Sequence, residues 1–160
     1  MLNAVADASG WRERASLPQG RALGFASAYD RGTVVGVVAE VSVNENAIRV
    51  EKVWCAVDPG LVVNPDGAAA QVQGSIVWGV SSALIEEQLV ENGMATSQNF
   101  NTYPLLTIAQ TPDMIVLPIS SSDAPVGGLG EPVVGAVPPA IANALAAITG
   151  RRFRQMPFRL

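Results

Sequence analysis

Strand-forming and helix-forming sequence occupy separate blocks in this chain, and that segregation limits the fold more than any other feature. The stretch "RALGFASAYDRGTVVGVVAEVSVNENAIRVEKVWCAVD" alternates apolar and polar residues in "AEVSV" and "AIRVEKVWCAV", the period of a strand with one buried face. "YDRGT" and "NEN" are hairpin turns within it, so the block reads as three or four strands, largely antiparallel. "DMIVLPIS" is a further strand, Asn92-Gly93 marks another hairpin turn, and "RRFRQMPF" alternates as a last short strand.

The helical blocks lie elsewhere. Residues 1–9 have helical spacing and stop at Gly10, and residues 11–20 read as a loop. Asn64 followed by Pro65 is a helix start, with Asn as N-cap and Pro in the first turn. The helix is expected over about 65–88, with Ala69, Val72, Ile76, Val80, Ala83 and Leu84 as its apolar stripe. Gln71, Gly74, Ser75, Trp78 and Ser82 fall on the opposite side. Gly74 and Gly79 each cost the helix about 1 kcal/mol relative to alanine, which predicts that another backbone or a ligand packs close there. "SSDAPVGGLGEPVVGAVPP" reads as an irregular loop, and "PAIANALAAITG" as a second amphipathic helix closed by Gly150. Segregated blocks predict an α+β fold: one domain over 1–160, a mixed, largely antiparallel sheet with one long and one shorter packed helix.

Composition narrows the function. The chain is 49% hydrophobic and only 15% charged. That is oily for one domain of 160 residues, and burial against other protein accounts for the surplus. Gly, Pro, Gln or a charge interrupts each apolar run before membrane-span length, so no span is expected. A net charge of −4 without a basic stripe argues against nucleic acid as partner. Arg151, Arg152, Arg154 and Arg159 alternate with other residues and read as a solvated strand face. There is one cysteine and no histidine. An internal disulfide, a CxxC metal site, histidine general bases and Ser-His-Asp or Cys-His nucleophiles are therefore excluded within this chain. Cys55 reads as a buried strand thiol, and Glu86-Glu87 as solvated surface. Any chemistry must come from carboxylates, backbone amides or a bound cofactor.

Glu131 stands out, in "PVGGLGEPVVG". Gly127, Gly128 and Gly130 remove side chains so that backbone can approach a ligand closely. Pro132 biases Glu131 away from helical geometry, which projects the carboxylate from a rigid corner. No basic residue lies near it in sequence, and a carboxylate in low dielectric without a cation moves towards the range of a general base. A loop acid pointing at water is the alternative. Gln71, near the start of the long helix where amides and dipole favour anions, offers a side-chain amide to a polar ligand or to solvent. "GGLGE" is not followed by GK[ST], and the flanking Pro125 and Pro132 spoil a dinucleotide fingerprint.

Together, "DPGLVVNPDGAAAQVQGSIVWGVSSALIEE", "SQNFNTYPLL" and "GGLGEPVVGAVPPAIANALAAITGRRFRQMPF" resemble the C-terminal part of the large subunit of molybdenum hydroxylases, the xanthine dehydrogenase and aldehyde oxidase superfamily. Within it the chain looks like the isoquinoline 1-oxidoreductase beta subunit branch. The resemblance runs from about residue 20 to the end. It implies that Glu131 is the glutamate beside the molybdenum, a general base in hydroxylation of an N-heterocycle or aldehyde with oxygen from water. It implies that Gln71 hydrogen-bonds the pterin and that Gly127, Gly128, Leu129 and Gly130 form the loop beside the metal. Implied with these are molybdopterin, as the cytosine dinucleotide, a small-molecule substrate, and an iron–sulfur small subunit that takes the electrons. Family subunits are several times longer, so the upstream part of the same subunit is an expected partner. The isolated chain is expected to be inactive and without cofactor. A non-catalytic structural or assembly domain that kept the fold is the competing reading.

Overall fold

The computed structural model describes residues 1–45, 47–118 and 124–160. In chain order, helix α1 (Leu2–Ala8) is followed by a 3-10 helix over Trp11–Ser16 where a loop was expected. Three long strands come next: β1 (Arg21–Asp30), β2 (Thr33–Asn44) and β3 (Ala47–Asp58). Helix α2 (Pro65–Leu84) leads to a small ribbon of β4 (Val90–Glu91) and β5 (Met94–Ala95), then to β6 (Asp113–Pro118). A short helix α3 (Glu131–Val134) precedes α4 (Val137–Thr149).

The sheet order is β1-β2-β3-β6, with the first three strands antiparallel and β6 parallel to β3. This is the mixed, largely antiparallel α+β sheet that the segregated blocks predicted. Arg31 and Gly32 turn β1 into β2 with φ of 48° and 78°, the left-handed pair of a two-residue hairpin. Asn92 and Gly93 repeat the device between β4 and β5, with φ of 51° and 79°.

Strand alternation divides the core. Val35, Val37, Ala39 and Val41 of β2, with Val53, Cys55 and Val57 of β3, face Val72, Ile76 and Val80 of α2 and Val137, Ile141 and Leu145 of α4. The opposite face holds Leu23, Val38, Trp54 and Ala56, closed by Val5 of α1. α4 crosses β1 at Gly24, where a methyl group would run into the α4 backbone at Ala140 and Ala144. α2 meets α4 at Gly79, where a methyl would stand 2.6 Å from Val137 Cβ. Of the two helix glycines, Gly79 is crowded, though by the Val137 side chain and not by the backbone or ligand expected from sequence; the would-be methyl of Gly74 meets nothing from outside its own helix within 4 Å.

Two boundaries differ from expectation, for one reason. α2 stops at Leu84 rather than near 88, and residues 151–160 form no strand. Backbone and side-chain donors of that tail go instead to the end of α2: Phe158 N–H donates to the Ala83 carbonyl at 2.7 Å and Arg159 Nη1 to the Leu84 carbonyl at 2.7 Å. The last carbonyls of a helix lack intrahelical partners, and the tail supplies them. Pro157 has no N–H to give a strand ladder. Phe153 and Phe158 pack edge to face at 5.9 Å, so these two rings close the core while the tail's arginines stay exposed.

The run Glu131–Thr149 has the length and apolarity of a membrane span, although prolines and a glycine interrupt it in sequence. Here the backbone breaks at Gly135 and Ala136, and Val133, Val137, Ala140, Ile141, Ala144 and Leu145 pack into the core with β2 and β3. It is the core helix of this sheet. Elsewhere apolar side chains stand out: Phe100 and Ile108 are 95% exposed and Val63 is 86% exposed.

Candidate functional site

Glu131 and Gln71, far apart in sequence, meet at one cleft. α2 begins at Pro65, with Asn64 Oδ1 accepting from Gly67 N–H at 3.0 Å. Gln71 lies in the second turn, beyond the unpaired amides of the first, so of the helix N-terminus and the side-chain amide only the latter is at this position. A methyl on Gly130 would lie 2.8 Å from Gln71 Nε2, so the loop backbone runs close against the end of this side chain. The cleft is about 280 Å³ and is lined by Gln71, Gly74, Ser75, Trp78, Gly130 and Glu131. Ser75, almost fully buried, donates its hydroxyl to the Gln71 carbonyl at 2.8 Å.

Protein contacts, as well as any ligand, account for the glycines. Gly127 N–H donates to the Pro59 carbonyl at 2.7 Å, and Gly128 N–H to the Arg31 carbonyl at 3.1 Å. Thr33, fully buried, donates its hydroxyl to the Gly128 carbonyl. A methyl on Gly127 would collide with the Thr33 hydroxyl, and one on Gly128 would stand 3.1 Å from Arg31 Cβ. The β1–β2 turn thus presses against the glycine loop and holds it. Leu129 turns its side chain inward onto the core, beside Val57, Val72 and Val116.

Two expectations about Glu131 are corrected. It is the first residue of α3 rather than part of an extended corner, because Pro132 fits the first helical turn, where its missing N–H costs no hydrogen bond. Nor is the carboxylate in a low-dielectric setting without a cation. Its side chain is 62% exposed, and Arg31 Nε stands 3.9 Å from Oε1. The same Nε lies 3.6 Å from Asp30, so Arg31 is shared between two exposed acids and binds neither strongly. Sequence proximity missed Arg31 because a hairpin brings it across from residue 131.

Glu86 also departs from plain surface. It is half-buried, accepting from the Tyr103 hydroxyl at 3.1 Å, while Glu87 is exposed and 3.8 Å from Arg159. Cys55 is fully buried as expected, and burial pushes its thiol up to about 12. Ser75, Trp78 and Thr33 were not singled out as site residues from sequence. The first two had a signal, since they follow Gln71 by four and seven positions and share its helix face. Thr33 had none, because its partner is in a distant loop.

The cleft therefore offers a carboxylate, an amide, a serine on its wall, an exposed indole and a floor without a side chain at Gly74. Among the described residues, no group of three or more acidic or thiol side chains gathers to hold a metal ion. These surroundings suit a flat group with hydrogen-bonding edges: the amide can both donate and accept, and the backbone of Gly130 comes close.

Residues 5–112 match the family model described as "Molybdopterin cofactor-binding domain". The chain is 39% identical to isoquinoline 1-oxidoreductase subunit beta of Brevundimonas diminuta, over 99% of this chain and 21% of that protein. It is 41% identical to the membrane-bound aldehyde dehydrogenase [pyrroloquinoline-quinone] of Gluconacetobacter polyoxogenes, over 91% of this chain and 20% of that one. The chain thus spans about a fifth of the length of these relatives. Among solved structures, quinoline 2-oxidoreductase from Pseudomonas putida 86 matches with a TM-score of 0.71 at 22% identity, over 78% of this chain and 17% of the other; at that identity the likeness is one of fold.

Proposed function

The chain belongs to the molybdopterin cofactor-binding domain family, and on that premise we propose that it is the C-terminal part of the cofactor-binding subunit of a molybdenum hydroxylase. The substrate is an N-heterocycle or an aldehyde, the two classes in the names of its relatives. The competing scaffold reading gives no reason for a carboxylate and an amide to line one cleft. That convergence of Glu131 and Gln71 is the observation that carries the catalytic reading.

The molybdenum–pterin group, in this reading a cytosine dinucleotide, supplies the two-electron redox chemistry when bound. The chain's residues do the rest. Gln71 presents Nε2 and Oε1 to the pterin edge. The backbone of Gly127, Gly128, Leu129 and Gly130 forms the wall beside the metal, held in place by Thr33 and the Arg31 carbonyl. Glu131 accepts the proton released as oxygen from water adds to an electron-poor carbon beside a ring nitrogen or a carbonyl. Its present exposure falls when the upstream part of the subunit covers the cleft. The exposed Phe100, Ile108 and Val63 are surfaces for that or for an iron–sulfur small subunit that takes the electrons.

Glu131→Gln in the full-length enzyme tests the assignment. The expected result is a fall in turnover of about 10²–10⁴-fold with molybdenum and pterin content unchanged. A variant turning over like the wild type removes Glu131 from catalysis and leaves the scaffold.

A further inference from the structure

Trp78 is the largest side chain of the cleft, and the proposed chemistry above gives it no task. The residue is 57% exposed although it sits on a helix whose other face is core. Large aromatics are seldom left half in water without a partner, because burying one contributes strongly to packing. Gln71, Gly74 and Trp78 succeed one another at three and four residues, so all three lie along one helix face. Gly74 sits between the amide and the indole, and nothing comes within 4 Å of its would-be methyl.

Gly74 has no packing reason to be glycine. An alanine would fit the space and favour the helix. The residue makes sense as a floor over which something flat must pass. On one side stands an amide that pairs with a polar ring edge, on the other an indole that stacks on or abuts a π-face. Glu131 lines the same cleft from α3. The volume of about 280 Å³ falls just below that of a small-molecule pocket, as expected of a site completed by other protein.

We propose that Trp78 is the aromatic wall for a flat heteroaromatic ring lying over Gly74, with Gln71 on the ring's polar edge. The chemistry is shared by two sources, the pterin itself and a ring substrate, and the inference rests on the cleft being the cofactor-proximal site. It does not depend on Glu131 being the base.

The test uses the full-length enzyme with its partner subunit, as Trp78→Leu and Trp78→Phe. Leucine keeps bulk and apolarity but loses the π-face; phenylalanine keeps both. Pterin and molybdenum content per protomer are measured, together with equilibrium binding of isoquinoline and of acetaldehyde. If the ring is the pterin, Trp78→Leu loses cofactor and Trp78→Phe retains most of it. If the ring is the substrate, Trp78→Leu keeps its cofactor but binds isoquinoline about two- to tenfold more weakly, with acetaldehyde unchanged and phenylalanine restoring the affinity. Trp78→Leu matching the wild type in both cofactor content and isoquinoline binding overturns the proposal. So do equal defects in the Leu and Phe variants, since a residue that only fills space against protein makes no distinction of π-face. Glu131→Gln, measured in parallel, reports the fate of the general-base reading separately.

Discussion

Gly74 and Gly79 lie in the same helix, and alanine at either removes the same backbone penalty, about 1 kcal/mol. The two variants therefore differ almost entirely through what the new methyl meets. At position 74 it meets nothing within 4 Å, so Gly74→Ala should stabilise the protein by close to the full propensity gain. At position 79 the methyl stands 2.6 Å from Val137 Cβ and 2.9 Å from its Cγ1. Val137 opens α4 and is fully buried, and a β-branched side chain has little freedom to turn away, so the helices must separate. Overpacking of this kind costs about 1–3 kcal/mol. Gly79→Ala should then fall below Gly74→Ala by that amount, and at or below the wild type. For a domain of this size each kcal/mol moves the midpoint of thermal unfolding by about 2–4 °C. Urea unfolding of the three proteins, with the same slope required for each, gives the comparison directly. If Gly79→Ala is as stable as Gly74→Ala, the close approach of α2 and α4 does not govern that glycine and the packing argument fails.

Thr33→Val should cost about 1–3 kcal/mol, since it leaves the Gly128 carbonyl without its buried donor; urea unfolding measures the loss, and a change below about 0.5 kcal/mol contradicts the role of Thr33 in holding the loop. Cys55 should react with a thiol reagent at pH 8 only after unfolding. Because its folded value of about 12 lies above that of an unfolded cysteine, about 8.5, its contribution to stability is complete below about pH 8.5 and is lost as pH rises towards 12. Replacement by alanine should flatten that alkaline decline.

The site was legible in its parts and not in its setting. A lone acid after three glycines and a glutamine early in a helix were both visible, and both line the cleft. Pro132 was read for its effect on the preceding residue, when its fit to a first helical turn decided the outcome. Arg31 could not be foreseen, because turn residues are chosen for backbone geometry and their side chains meet whatever the fold brings across. The glycines were read as ligand contacts, yet two of them touch the β1–β2 turn.

By itself the sequence determined the class of fold and its main elements, the three long strands, β6 and the helices α2 and α4. Strand period, turn dipeptides, the Asn64 cap and the closing Gly150 are local signals, carried by neighbours in the chain. Family membership was likewise written in contiguous motifs. Only the tertiary structure decided where helices stop when a distant tail supplies their last hydrogen bonds, which of two glycines is crowded, and that Glu131 faces both an amide and a guanidinium. Those outcomes depend on contacts between residues far apart along the chain, whose positions are set by how the whole core packs and not by the residues beside them.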